Sequence, residues 1–148
     1  MSISTVTGTG PRRQIVRSVG AILGAFLFVV VISLVTDEIL HLLHFYPPWG
    51  EPMYDTTQNF VALAYRLVIG VAGGYVTARL APYAPMGHVW AGAVLGLVVS
   101  TAGAIATIRM GGFGPAWYPI ALAVSAVPCS LIGGWLYLRG ARVIAPSV

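Results

Sequence analysis

Long apolar segments are the feature of this chain that most restricts its fold. Four of them cover residues 16–45, 58–80, 87–108 and 116–138, and loops containing proline or glycine separate them. Each is at least about as long as the roughly 20 residues that a helix needs to cross a bilayer. Hydrophobic residues make up 57% of the chain and charged residues only 8%. We therefore predict an all-α integral membrane protein with four transmembrane helices in an up-down bundle.

The first apolar segment follows basic residues, as the core of a secretory signal also does. It is too long for a typical signal, however, and it runs into the polar stretch "TDEILHLLHF" without a small-x-small cleavage site. We expect it to be retained as the first span. The chain then divides into an N-terminal tail over 1–14, a single transmembrane domain over 15–140 and a C-terminal tail over 141–148.

The basic residues of this chain report its orientation. All eight are arginines, the net charge is +4, and in a membrane protein such charges predict topology before they predict nucleic-acid binding, so we expect no nucleic-acid partner. Six arginines fall on one side of the predicted spans, whereas Arg109 alone lies in a loop on the other. The six are Arg12, Arg13, Arg17, Arg79, Arg139 and Arg142. Cytoplasmic loops carry the excess of basic residues, so both termini are expected in the cytoplasm and both tails are expected to be cytoplasmic.

Glycine pairs indicate where the helices meet. Pairs spaced four residues apart let helix backbones approach closely inside a bilayer, where apolar exclusion from water does not drive association. They are Gly20 and Gly24, Gly70 and Gly74, and Gly92 and Gly96. Four short spans also bury little surface against one another. We therefore expect a protein that contacts the lipid bilayer and forms a homo-oligomer or joins a membrane complex.

Arg66 is the most costly residue in the predicted spans. It lies roughly 10 Å inside the outer end of the second span, and arginine near a helix centre costs about 2.5–3.5 kcal/mol. Helical spacing places it on the same face as Gly70 and Gly73, so we expect it to point into the bundle. Counting residues from the first hairpin puts Asp37 at about the same depth, which makes Asp37 its predicted partner. Glu38 is the alternative.

A polar cluster surrounds Asp37 at the end of the first span. Asp37, His41 and His44 stand at i, i+4 and i+7, so they should share one helix face. Carboxylate and imidazole at this spacing suit a proton relay, and they could ligate a divalent metal if Glu51, Asp55 or another subunit supplied further ligands. The simpler interpretation is that the histidines lie at the headgroup level while Asp37 neutralises the buried arginine. The candidate relay cluster consists of Glu38, His41, His44 and Tyr65.

The remaining chemistry of the sequence is sparse. Cys129 is the only cysteine, so neither a disulfide within one chain nor a two-thiol redox centre can form. The sequence contains no nucleotide-binding loop, dinucleotide fingerprint or hydrolase triad order. We therefore predict a protein that is not an enzyme and has no cofactor.

Three stretches resemble a known group of membrane proteins. They are "TDEILHLLHFYPPWGEPM", "AYRLVIGVAGGYVTARLAP" and "GPAWYPIALAVSAVPCSLIGGWL". They resemble a family of short four-span bacterial inner-membrane proteins that are labelled hypothetical, and the resemblance extends over most of the chain from Thr36 to Leu136. It implies a multi-pass location in the bacterial inner membrane. It implies no activity, because none is assigned to the family.

Three functions remain open at this point. The first is a non-enzymatic helical bundle that self-associates or joins a membrane complex. The second is a small, dimeric, proton-coupled transporter that uses Asp37, His41 and Arg66. The third is a metal-dependent membrane enzyme with its site on the outer face. The surroundings of Arg66 separate the first two, because a cavity that reaches the arginine and its partner favours transport over a purely structural pair.

Overall fold

Four long helices make up the part of the chain that the computed structural model describes, residues 11–144. They are α1 (Pro11–Leu42), α2 (Thr56–Leu80), α3 (Pro85–Met110) and α4 (Trp117–Ile144). Each is long and apolar enough to cross a membrane, and residues 11–144 contain no strand. The predicted all-α class and the four candidate spans are thus confirmed. Most of the predicted tails, 1–10 and 145–148, lies outside the described residues.

Neighbouring helices in sequence run antiparallel. Val29 of α1 lies against Gly73 of α2, while Asp37, further along α1, reaches back to Arg66. Further helix contacts place α3 antiparallel to α2 and α4. The α1–α2 loop (43–55) and the α3–α4 loop (111–116) therefore meet at one end of the bundle, which we call the loop end. The opposite end, where α1 begins and α4 finishes, is called the terminal end.

The closest packing in the bundle joins α2 to α4. A Cβ atom added to Gly74 would overlap the backbone of Ser130, and one added to Gly133 would overlap the backbone of Val71. Only glycine leaves room for backbones at this separation. Near the terminal end, a Cβ atom added to Gly134 would overlap the side chain of Val89. Helices α3 and α4 are therefore also in close contact there.

The first helix is the least embedded of the four. Within the described chain, α1 packs against α2 and α3 but not against α4. Its Ala21 and Ala25 are buried, whereas Gly20 and Gly24 have open space where a side chain would be. The glycine pair predicted as a contact surface therefore faces away from the other helices of this chain, because the neighbouring alanines occupy that contact instead.

Hydrogen bonds fasten the two loops together at the loop end. The backbone N–H of Met53 donates to the carbonyl of Phe113 over 2.9 Å, and the Asn59 side chain donates to the carbonyls of Met53 and Asp55. Asp55 caps α2 by accepting from the N–H of Gln58. These bonds hold the two loops and the start of α2 together beside the site described next.

Candidate functional site

An ion pair between α1 and α2 lies at the centre of the site. The guanidinium Nη2 of Arg66 donates to Asp37 Oδ2 at 2.5 Å. The other nitrogen, Nη1, donates to the hydroxyl of Tyr118, and the Tyr65 hydroxyl donates to Asp37 Oδ1. We call these four residues the charge cluster. Both charges are largely removed from solvent, since the side chain of Asp37 is 11% exposed and that of Arg66 is 25% exposed.

Helix direction explains why the charge cluster forms. Side chains of an α-helix tilt toward its N-terminus, and the N-terminus of α2 is at the loop end. Arg66 therefore extends toward the loop end, where α1 finishes and α4 begins. There its guanidinium carbon lies 5.2 Å from the ring centre of Tyr65 and 5.8 Å from that of Tyr118, so both rings add cation–π contacts.

Tyr118 is a member of the cluster that the sequence did not single out. Its place at the start of α4, after a glycine-rich loop, is typical of an aromatic residue at a membrane interface. The signal that could have identified Tyr118 is a hydroxyl group within reach of a buried guanidinium. With an arginine so close to the loop end of α2, every tyrosine in the first turn of a neighbouring helix was a candidate hydrogen-bond acceptor for it.

Glu38 and His41 contact the α1–α2 loop and have no bond to Arg66. The Trp49 indole N–H donates to Glu38 Oε2 at 3.1 Å, and the Trp49 ring lies 4.1 Å from the imidazole centre of His41. The buried Nδ1 of His41 has no hydrogen-bond partner among the described residues. Trp49 therefore holds the loop across the end of α1, next to the charge cluster.

His44 does not share a helix face with Asp37 and His41, contrary to the expectation from their spacing. The helix ends at Leu42 because the N–H groups of His44 and Phe45 bond back to the carbonyls of His41 and Leu40. His44 takes the left-handed conformation, with φ 57°, that usually belongs to glycine in this helix ending. Within residues 11–144, no three His, Cys, Asp or Glu side chains gather in a way that could hold a metal ion.

Tyr46 closes the cluster from the loop side. It is 6% exposed. Burial raises the pKa of its hydroxyl to about 12, because the phenolate would lose its hydration there, and the nearby positive charge of Arg66 opposes this rise in pKa. Tyr46 is therefore neutral over the whole physiological pH range.

A cavity of about 560 Å³ opens beside the charge cluster at the loop end. We call it the outer cavity. Asp37, His41 and Arg66 line it, together with Trp49 and Glu51 of the loop. The halves of α3 and α4 nearest the loop end complete the wall. Its volume falls within the range of about 300–1,000 Å³ that is usual for small-molecule sites.

A second cavity of about 290 Å³, the inner cavity, lies deeper between all four helices. Apolar side chains of α1 and α3 form most of its walls. The glycines of α2 line the remaining side. The hydroxyls of Ser100, Ser125 and Ser130 also line it, but each donates to a carbonyl of its own helix. The inner cavity thus offers an apolar surface with one charged group, Arg66, at the side nearest the loop end.

The two cavities meet at three residues that line both. These residues are Arg66, Ser100 and Leu122, contributed by α2, α3 and α4. Below the junction, the inner cavity extends to Thr77 and Val89, close to the terminal end. There the glycine contacts between α2, α3 and α4 leave no free volume for a further side chain. The charge cluster therefore lies at the junction of the two cavities, and close glycine contacts fill the bundle beyond the inner cavity at the terminal end.

Among known proteins, no family model, no curated protein and no solved structure matches this chain.

Proposed function

We propose that this protein is a small proton-coupled transporter of the bacterial inner membrane and that it performs no enzymatic chemistry. The observation that supports this function best is the position of Arg66, which pairs with Asp37 and borders cavities on both sides. A charge pair with a purely structural role would be packed tightly, because a cavity beside a buried ion pair loses dispersion contacts without any gain. The space is understandable if a solute passes the pair.

The proposed coupling uses the competition for Arg66. When Asp37 takes up a proton, its attraction for the guanidinium falls, and Arg66 becomes available to an anionic solute. Asp37 is surrounded by groups that favour either its ionised or its protonated form. The titratable groups of the cluster and of the cavity wall beside it are His41, Tyr46, Glu51, Tyr65, Arg66 and Tyr118. His41 lines the outer cavity one helical turn from Asp37, so it is placed to pass protons to Asp37.

The proposed orientation follows the distribution of arginines. Six of the seven arginines outside the membrane core belong to the terminal end, so the terminal end is assigned to the cytoplasm and the loop end to the outer side. The outer cavity would then open to the periplasm. The family resemblance supports the same membrane.

Self-association through α1 belongs to the proposal as well. A Cβ atom added to Gly20 or Gly24 would have no neighbour within 4 Å, although the two glycines are spaced for close helix contact. A second copy would cover this surface. Gly24→Leu should convert an oligomer to a monomer in native mass spectrometry, whereas Gly140→Leu, at a glycine with equally open surroundings, should leave the oligomer intact. An unchanged oligomer in the Gly24→Leu protein would remove α1 from the interface.

Cysteine accessibility tests whether the outer cavity is a water-filled path. In a Cys129→Ser background, Ser100→Cys and Thr107→Cys place thiols in the outer cavity, whereas Val98→Cys places one on the lipid-facing surface of the same helix. A membrane-impermeant maleimide added to intact cells should modify the first two and leave the third unmodified.

The same experiment defines the outcomes that contradict the proposal. If Ser100→Cys reacts as slowly as Val98→Cys in intact cells and also in inside-out vesicles, no aqueous path reaches the charge cluster. If it reacts only in inside-out vesicles, the assigned orientation is reversed. Circular dichroism of each purified variant controls for loss of the helical fold.

A further inference from the structure

The inner cavity has the chemistry of a binding site for one class of solute. Its walls are apolar, and four of the five hydroxyls that line it are already bonded to backbone carbonyls, those of Thr77, Ser100, Ser125 and Ser130. A polar solute would lose its hydration there without replacement. An aliphatic chain would instead gain contacts along the whole cavity. From Arg66 to Thr77 the cavity extends over roughly 16 Å along α2, which suits a medium-length hydrocarbon tail.

The charged group that borders the cavity selects the other end of the solute. Arg66 is the only arginine among the described residues that line either cavity. A guanidinium pairs with a carboxylate through two parallel N–H donors, as Arg66 already does in part with Asp37. One monoanion can replace the Asp37 carboxylate without changing the charge of the cluster if Asp37 is protonated. A dianion would leave a negative charge unpaired.

We propose that the site binds a single-chain aliphatic carboxylic acid, with its carboxylate on Arg66, its tail in the inner cavity and one proton on Asp37. This inference rests on the proposed transport function and gives it a solute class. In the bound state the carboxylate takes the place of the Asp37 carboxylate beside the guanidinium, and a proton from solution is taken up by Asp37. Solute anion and proton enter together, so the bound complex carries the same charge as the free protein.

The native Cys129 provides a reporter for this binding. It is a free thiol that lines the inner cavity, with its Cβ close to Gly70. The experiment measures how fast N-ethylmaleimide modifies Cys129 by intact-mass spectrometry, with the full-length protein in lipid nanodiscs. Dodecanoate should slow the modification strongly. Methyl dodecanoate, which lacks the charge, and dodecylamine, which carries the opposite charge, should protect much less.

The linked proton gives a second, sharper readout. If one proton binds with each anion, the apparent affinity of the wild type for dodecanoate should weaken by about tenfold per pH unit as the pH rises. Asp37→Asn removes the competing carboxylate, so it should bind dodecanoate more tightly at neutral pH. Because any titration of dodecanoate itself affects both proteins equally, the difference between their slopes isolates Asp37.

Loss of Arg66 supplies the converse test. Arg66→Gln should abolish protection by dodecanoate, and if that protein does not fold, the neutral double variant Asp37→Asn/Arg66→Gln takes its place. The inference is overturned if all three probes protect Cys129 equally, if dodecanoate never protects it, or if the pH slopes of the wild type and Asp37→Asn are equal. Labelling of Ser100→Cys is independent of these outcomes, so an open path without dodecanoate binding would refute the solute class and retain the transporter.

Discussion

Removing Arg66 alone should cost more stability than neutralising both partners of the Asp37–Arg66 pair. Arg66→Leu leaves the Asp37 carboxylate in the bundle with the Tyr65 hydroxyl as its remaining partner in the charge cluster. Removing one member of a buried pair typically costs about 3–5 kcal/mol. Because the two side chains keep 25% and 11% of their exposure, we expect the lower limit, about 3 kcal/mol, for Arg66→Leu.

The reverse variant should be milder. Asp37→Asn leaves a cation that can extend along its flexible stem toward the loop end, so its expected cost is about 2 kcal/mol. In the double variant no charge is left unpaired, and we expect about 2 kcal/mol in total, from the lost hydrogen bonds and packing. The two substitutions should therefore be coupled by about 3 kcal/mol.

Reversible unfolding in mixed micelles measures this coupling. The free energies of unfolding of the wild type, both single variants and the double variant are obtained from denaturant titrations followed by far-ultraviolet circular dichroism. Arg109→Leu, at the end of α3 and outside the charge cluster, serves as the control and should change stability by less than about 0.5 kcal/mol. Additive effects of the two substitutions, within about 0.5 kcal/mol, would refute the energetic role of the pair.

Three other residues offer tests of single contacts. Tyr118→Phe removes one partner of the guanidinium and should cost about 0.6–1.7 kcal/mol in the same titration, the range for hydrogen bonds within membranes; no change would exclude Tyr118 from the cluster. Gly74→Ala forces α2 and α4 apart and should cost about 1–3 kcal/mol, whereas Gly96→Ala, which meets no neighbour, should cost under about 0.5 kcal/mol; equal effects would contradict the α2–α4 contact. The pKa of Tyr46 is about 12 in the folded protein and near 10 when it is unfolded. The stability that its neutral form contributes should therefore be complete below about pH 10 and disappear as the pH rises to about 12. Ultraviolet difference titration against Tyr46→Phe measures this, and a phenolate signal near pH 10 in the folded protein would contradict it.

The helices were predictable because length and apolarity decide them. A run of about 20 apolar residues in lipid has few alternatives to a helix, so all four helices were predicted. Most of the predicted helix ends lie within three residues of the observed ones. The depth of Arg66 was also readable, because residues counted from a hairpin loop measure distance along both helices. That count placed Asp37 opposite Arg66, where the structure has it.

The helix end at Leu42 was not predictable by the same reasoning. It depends on His44 in a left-handed conformation, and glycine is the residue that signals such an ending in a sequence. Extending the helix in sequence to residue 45 put His44 on the wrong face and created an apparent metal-ligand triplet. The backbone torsion φ of His44 thus separates the interpretation with a metal-ligand triplet from the one without it.

The cavities could not be predicted either, because they result from how far α1 stands from α4. Glycine spacing indicates that two helices can approach, but it does not choose the neighbour. Gly74 is in such a contact, whereas Gly24 is not. The empty space between α1 and α4 is a consequence of that choice. It is also the feature that turns an ion pair into a candidate gate.

Access to Cys129 across the junction of the two cavities is the measurement that tests the central claim most directly. The native thiol lies below Arg66 in the inner cavity, whereas Thr107→Cys lies above it in the outer cavity and corrects for the pH dependence of thiol reactivity. With an impermeant maleimide supplied at the loop end, the ratio of the two rates should be low in the wild type, where Asp37 holds Arg66 at the junction. In Asp37→Asn, which removes the negative partner of Arg66, the ratio should be high. A ratio that is the same in the wild type and Asp37→Asn at every pH would show that the Asp37–Arg66 pair does not control the path.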